Sequence, residues 1–188
     1  MAGSILQPFN RFAIEGGTVG RLLAGYSTLE IGLMNCVQVA LNDFDGVLKT
    51  MFKQQGETRR INKGEALGLA RYKALGLDSD FKAAVEAMRH CLKIRNRYAH
   101  WIWWDDNSGH LALANMEDVA KLVTPVNDLA DLSPSHVSIA LLAEQEAYFI
   151  LVDHYLAWIN YEGRHKAGKM ARGLPNKPVL PSPPPLTL

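Results

Sequence analysis

The chain has 188 residues, of which 48% are hydrophobic and 21% charged, and its formal net charge at pH 7 is +1. This length suits one domain with a sizeable hydrophobic core, and the composition is that of an ordinary globular protein. A net charge so close to zero provides no overall basic field for nucleic acid, so any site for a polyanion must be a local patch. No apolar run reaches the ~18–20 residues of a membrane span and no signal-peptide pattern is visible, so we expect no membrane association and a cytoplasmic protein.

Helical periodicity dominates the first hundred residues. Residues 1–16 lack a regular pattern and predict a loosely docked N-terminal arm. Apolar residues at helical spacing then predict, in order, a long helix from about Thr18 to Asp43, a short helix from Val47 to Gln55, an amphipathic helix from Thr58 to Leu75, and a helix from about Asp80 to His100.

The pattern changes after His100. Residues 101–104 are aromatic and β-branched, residues 105–109 are typical of a turn, and residues 110–113 could return as a strand, which predicts a small β-hairpin. Residues 116–131 are ambiguous. Ser133-Pro134 indicates the start of a last helix that runs to about His165.

These elements predict an all-α fold, a bundle of four or five helices spanning residues 17–167 with a small hairpin inserted. The proline-rich residues 168–188 lack core material and predict a disordered tail. Cys36 and Cys91 both fall in apolar helical patterns, which favours buried, reduced thiols. No zinc spacing, phosphate-binding glycine loop or Ser/His/Asp arrangement is visible, so we expect neither a metal nor a cofactor.

Two charged residues fall on apolar helix faces. Stepping through residues 81–100 at about 100° per residue places Arg95 near the centre of the apolar arc. Glu30 is the one acidic residue within the apolar stripe of the first long helix. An unpaired buried charge costs several kcal/mol or more, so we predict that Glu30 and Arg95 form a buried pair.

Arg95-Asn96, three further residues and His100 form the pattern R-N-x-x-x-H near the end of a long helix. This pattern resembles the signature of the HEPN superfamily, in which an arginine, a polar residue and a histidine form a metal-independent ribonuclease site. The resemblance covers helices from roughly residue 17 to 165. It implies that His100 acts in proton transfer, that Arg95 stabilises charge on the phosphate and that Asn96 orients one of them, with no cofactor.

The spacing of the motif raises a geometric difficulty. Five residues at about 100° each put Arg95 and His100 roughly 140° apart on a straight helix, whereas Asn96 and His100 share a face. The two would converge only if the helix ended or bent near Tyr98, or if the arginine reached round. Alternatively, Arg95 has only a structural role and connects two helices through Glu30. Because HEPN domains commonly dimerise, the resemblance also implies a homodimer in which two copies of His100 supply a base and an acid.

Basic residues could guide RNA to such a site. The candidates are Arg59, Arg60, Lys63, Arg89, Lys93 and Arg97, although such residues usually occupy solvated helix faces. The expected function is therefore a ribonuclease, and a toxin or antiviral effector would fit the resemblance, with an antitoxin or a small nucleotidyltransferase as its partner. The alternative is a non-catalytic HEPN-like module that binds RNA, a nucleotide or a protein.

Overall fold

The computed structural model describes residues 7–122, 124–128 and 131–188. Within them the elements follow in the order α1 (Pro8–Arg11), α2 (Ala13–Leu41), α3 (Phe44–Phe52), α4 (Glu57–Ala74), α5 (Asp78–His100), β1 (Ile102–Asp105), β2 (Leu111–Ala114), α6 (Met116–Val119), β3 (Ser135–Val137) and α7 (Ile139–Lys166). Helices account for 65% of the structure, which confirms the prediction of a mainly helical protein. No helix in the described part of the chain is both long and apolar enough to cross a membrane.

The chain forms two compact units. The first contains the residues up to Leu23, Lys93–Ala147 and Pro184–Leu188, and the second contains Ala24–Leu92 and Tyr148–Pro183. The three strands and the R-N-x-x-x-H motif belong to the first unit, whereas the second unit is built from helices and the beginning of the proline-rich tail.

An antiparallel sheet with the strand order β1-β2-β3 organises the first unit. The predicted hairpin is confirmed, with Trp103 opposite Leu113 in the register of β1 and β2. Strand β3 was not predicted, because Ser133-Pro134 has the sequence of a helix start. The last helix instead begins at Ile139, where the Ser138 hydroxyl accepts a hydrogen bond from the Leu141 amide at 3.2 Å.

The hairpin turn has the predicted chemistry. Asp105 Oδ1 accepts from the Asn107 amide at 2.9 Å, and Asp106 Oδ1 accepts from the Ser108 amide at 3.0 Å. Asn107 and Gly109 both have positive φ angles, of 63° and 87°, as a tight turn requires. Hydrogen bonds from Ser108 and from His136 lower the pKa of Asp106, so its carboxylate is engaged in holding the turn.

The predicted N-terminal arm is more regular than expected from residue 7 onward. Helix α2 begins at Ala13, inside the predicted loose arm and five residues before Thr18. Phe12 is buried, and Phe9 packs on Trp103 with ring centroids 5.6 Å apart. A Cβ at Gly16 would lie 2.8 Å from the Phe9 ring, so this glycine permits the close approach of α1 and does not interrupt the helix.

The proline-rich segment, for which the sequence predicts disorder, makes specific contacts within each unit. In the second unit, Lys177 Nζ donates to Asp80 at 2.5 Å and lies 5.5 Å from the centroid of the Trp158 ring. In the first unit, Pro184 is buried and Gln145 Nε2 donates to the Pro185 carbonyl at 2.7 Å. Proline lacks the backbone donor but keeps the carbonyl acceptor, and Pro185 uses this acceptor to bind Gln145.

The second unit packs α4 and α5 through aromatic rings. Tyr72 stacks on Phe81 with ring centroids 4.5 Å apart, and the Tyr72 hydroxyl donates to the Cys36 carbonyl at 3.0 Å. Both cysteines are free and buried, as predicted. Burial raises the pKa of Cys36 to about 12 and raises the pKa of Cys91 as well, so both thiols stay protonated at neutral pH.

Gly68 permits this close packing, because a Cβ there would lie 2.7 Å from Phe81 Cζ. We expect Gly68→Ala to lower the free energy of unfolding by about 1–2 kcal/mol, since overpacking costs roughly 1–3 kcal/mol and alanine recovers up to about 1 kcal/mol of helix propensity. Urea unfolding measures the difference. Gly25→Ala is the matched control in α2: a Cβ at that position would have nothing within 4 Å, so the substitution should stabilise the protein slightly.

Candidate functional site

The R-N-x-x-x-H motif occupies the last turns of α5, which runs from Asp78 to His100. The backbone amide of Trp101 donates to the Arg97 carbonyl at 3.1 Å, so α-helical hydrogen bonding continues to the end of the motif. The helix therefore does not end near Tyr98, which was one of the ways in which Arg95 and His100 could have converged.

A hydrogen bond connects the first two residues of the motif. Arg95 Nη1 donates to Asn96 Oδ1 at 3.0 Å, and both side chains are half-buried. Asn96 and His100 are four residues apart on a continuous helix and share a face, and the His100 side chain is exposed. The guanidinium is thus bound to the amide that shares the histidine's face.

Arg95 itself does not share that face. Arg95 and His100 are five positions apart on a regular helix, which corresponds to about 140° of rotation. An exposed imidazole can exchange protons with a ligand in solvent, and a half-buried guanidinium supplies positive charge nearby. The imidazole of His100 and the charge of Arg95 therefore lie on different sides of the helix end.

Tyr98 fixes the last turns of α5 through hydrogen bonds. Its hydroxyl donates to Gln145 Oε1, and Gln145 is fully buried. The Trp103 indole donates to the Tyr98 carbonyl at 3.3 Å, and burial raises the pKa of Tyr98. Gln145 was not among the predicted site residues. A glutamine within the apolar run of the last helix is nevertheless a usable signal, because a buried amide needs hydrogen-bond partners.

Glu30 is buried, with 7% of its surface exposed, but its predicted partner was wrong. Both carboxylate oxygens accept from Arg60 Nη1 at 3.2 Å, and Arg60 also lies 5.3 Å from the centroid of the Phe52 ring. Helical phasing identified the buried acid correctly. It could not identify which cation of another helix would meet that acid, and Arg95 donates to Asn96 instead.

The candidate RNA-binding residues have unlike surroundings. Arg60 and Arg89 are engaged by carboxylates, Arg89 by Glu65 at 2.6 Å and also by Glu86. Lys63 is half-buried, whereas Arg59 and Lys93 are exposed. Arg97 is half-buried and stacks on the ring of Trp101. Carboxylates therefore already engage two of the six candidate cations, Arg60 and Arg89.

Within the described ranges, no group of three or more His, Cys, Asp or Glu side chains could hold a metal ion. In comparisons with protein families, curated proteins and solved structures, no match to this chain was found.

Proposed function

We propose that this chain is an endoribonuclease of HEPN type that needs no metal and acts in the cytoplasm through Arg95, Asn96 and His100. One observation carries the proposal. At the end of a long helix, an exposed histidine shares a face with an asparagine, and a half-buried arginine donates to that asparagine at 3.0 Å. The arrangement links a proton-transfer group, a polar group and a positive charge, which are the three kinds of group in the motif that the R-N-x-x-x-H pattern resembles.

The reaction that suits these groups is internal transesterification of RNA. A base removes the proton of a ribose 2′-hydroxyl, the 2′-oxygen forms a bond to phosphorus, and the bond from phosphorus to the 5′-oxygen breaks. An acid delivers a proton to the leaving 5′-oxygen, and the products are a 2′,3′-cyclic phosphate and a 5′-hydroxyl. Histidine serves either role near neutral pH because its unperturbed pKa is about 6.5.

In an in-line displacement the attacking 2′-oxygen and the leaving 5′-oxygen lie on opposite sides of phosphorus, so one His100 does not contact both, and the proposal includes a homodimer with a composite site. A two-fold axis beside the end of α5 would bring two imidazoles to one phosphate and place the Arg95 of each protomer near the charge that develops there. Light scattering should accordingly give twice the monomer mass, and a strict monomer would contradict the composite site.

The proposal is tested by incubating the purified protein with single-stranded RNA in excess EDTA. We expect cleavage, products ending in 2′,3′-cyclic phosphate, and no cleavage of DNA of the same sequence, because DNA lacks the 2′-hydroxyl that attacks. Intact RNA after prolonged incubation with the folded dimer contradicts the proposal, and so do products that carry a 3′-hydroxyl.

A second function is favoured by the regular helix. Because α5 stays helical to His100, Arg95 and the imidazole lie about 140° apart, a separation that binding tolerates more readily than catalysis does. The chain would then be a HEPN-like module that binds RNA, a nucleotide or a protein partner without cutting. Measurable RNA binding with no cleavage in the same EDTA assay supports this function over the first.

A further inference from the structure

Arg97 differs from four other arginines of the chain in what surrounds it. Four arginines each meet a carboxylate: Arg11 meets Asp105, Arg21 meets Glu146, Arg60 meets Glu30 and Arg89 meets Glu65. Arg97 Nη1 donates to the Thr187 hydroxyl at 3.4 Å, and its guanidinium lies 4.2 Å from the centroid of the Trp101 ring. Among the residues that the structure describes, no carboxylate pairs with it.

This cation is partly desolvated without a counter-ion. The side chain is half-buried, and burial lowers the pKa of Arg97, which means that its surroundings disfavour the charged form. Arginine nevertheless stays charged at physiological pH, so the lost hydration is recovered only weakly, through one long hydrogen bond to a neutral hydroxyl and the stacking contact. An anion from outside the chain would compensate this charge far better.

The position of Arg97 on α5 places it beside the proposed site. Residues three apart on a helix are neighbours on one face, so Arg97 lies next to His100, whereas Arg95 is about 140° away. The stacked Trp101 ring restricts the plane of the guanidinium, so less conformational entropy is lost when it binds a planar or forked acceptor.

We propose that Arg97 is the phosphate-contacting residue on the His100 face, binding a non-bridging oxygen of the RNA backbone while Trp101 holds the guanidinium plane. This inference rests on the proposed function and specifies its substrate contact. The bond to Thr187 gives way when RNA binds, because a charge-assisted hydrogen bond to phosphate is shorter and stronger than a 3.4 Å bond to a neutral hydroxyl.

The test uses the full chain and a fluorescent single-stranded RNA whose 2′-hydroxyls are all methylated, so that it binds but cannot be cut. Anisotropy titrations from about 50 to 200 mM salt give the affinity and its salt dependence. We expect Arg97→Gln to weaken binding about tenfold at low salt and to reduce the slope of log K against log salt by about 0.7, the loss of one phosphate contact on a single strand.

Arg21→Gln is the matched control, since Arg21 is an exposed arginine of the same unit whose charge is engaged by Glu146 at 2.5 Å. It should change affinity by less than about twofold and leave the slope unchanged.

Arg97→Lys separates the loss of a phosphate contact from a folding defect. It keeps the charge and loses the planar fork, so affinity should fall by less than in Arg97→Gln with the wild-type slope retained.

An Arg97→Gln variant with the affinity and slope of the wild type overturns the inference, and so does weaker binding with an unchanged slope, which would indicate a purely structural role. Parallel assays with unmethylated RNA separate the two proposals. If the wild type cleaves RNA and Arg97→Gln does not change binding, the nuclease proposal is supported and the proposed Arg97 contact is rejected. If binding depends on Arg97 but no RNA is cleaved, the proposed contact is supported and the nuclease proposal is rejected.

Discussion

Replacing His100 by alanine should abolish most RNA cleavage, with a loss of about 10²–10⁴-fold in kcat, the usual contribution of a positioned general acid or base. The imidazole is exposed at the end of α5, so its removal creates no cavity and the thermal midpoint should stay close to that of the wild type. Single-turnover cleavage of a labelled RNA and a thermal melt measure the two quantities on the same preparation.

The control is His154→Ala, which removes an exposed histidine of α7 and should leave cleavage unchanged.

Subunit mixing tests whether one site uses both copies of His100. If each site needs His100 from both protomers, an equal mixture of wild-type and His100→Ala chains, allowed to exchange subunits, should retain about one quarter of the activity and not one half. Full activity in His100→Ala would contradict the catalytic assignment, and a large drop in the thermal midpoint would make His100 a structural residue.

Replacing Glu30 by alanine should lower the free energy of unfolding by about 2–3 kcal/mol. Removing one partner of a buried ion pair typically costs about 3–5 kcal/mol. The lower figure applies here because Arg60 keeps 27% of its side chain exposed and can be partly rehydrated, whereas Glu30 keeps only 9%. Urea unfolding followed by circular dichroism measures the change, which should appear in the midpoint with an unaltered slope.

Glu86→Ala is the control for this substitution. Glu86 also bonds an arginine, but its side chain is 70% exposed, and its loss should cost less than about 0.5 kcal/mol. A double variant, Glu30→Leu with Arg60→Leu, removes both charges and should be more stable than the sum of the two single changes predicts. Additive effects would mean that the two side chains do not stabilise each other.

The elements that the sequence predicts well are those with a strong local pattern. The apolar periodicity of α2, α4 and α5 predicted each helix to within a few residues, except that α2 begins earlier because Phe12 and Phe9 pack in ways a local pattern does not reveal. The hairpin was predicted equally well, because aromatic and β-branched residues flank a run of turn-forming ones.

The features that were missed depend on tertiary contacts. Strand β3 has three residues, and only its pairing with Leu111 to Leu113 of β2 makes it a strand. The partner of Glu30 could not be chosen from phasing, because several arginines were candidates and the pairing depends on which helix lies opposite. In the candidate site, helical phasing correctly placed Asn96 on the same face as His100. Phasing could not separate Arg97 from the other basic residues, because its particular surroundings are the contacts with Trp101 and Thr187.

Because both cysteines are buried, we expect the native protein to react only slowly with thiol reagents. Such reagents attack the thiolate, and at neutral pH burial keeps both sulfur atoms protonated as well as inaccessible. A single cysteine introduced on the surface could therefore carry a fluorophore without removal of the native ones. Cys36 and Cys91 would become modifiable only when the surrounding helices open, so the natural sequence already contains a chemical reporter of its own transient unfolding.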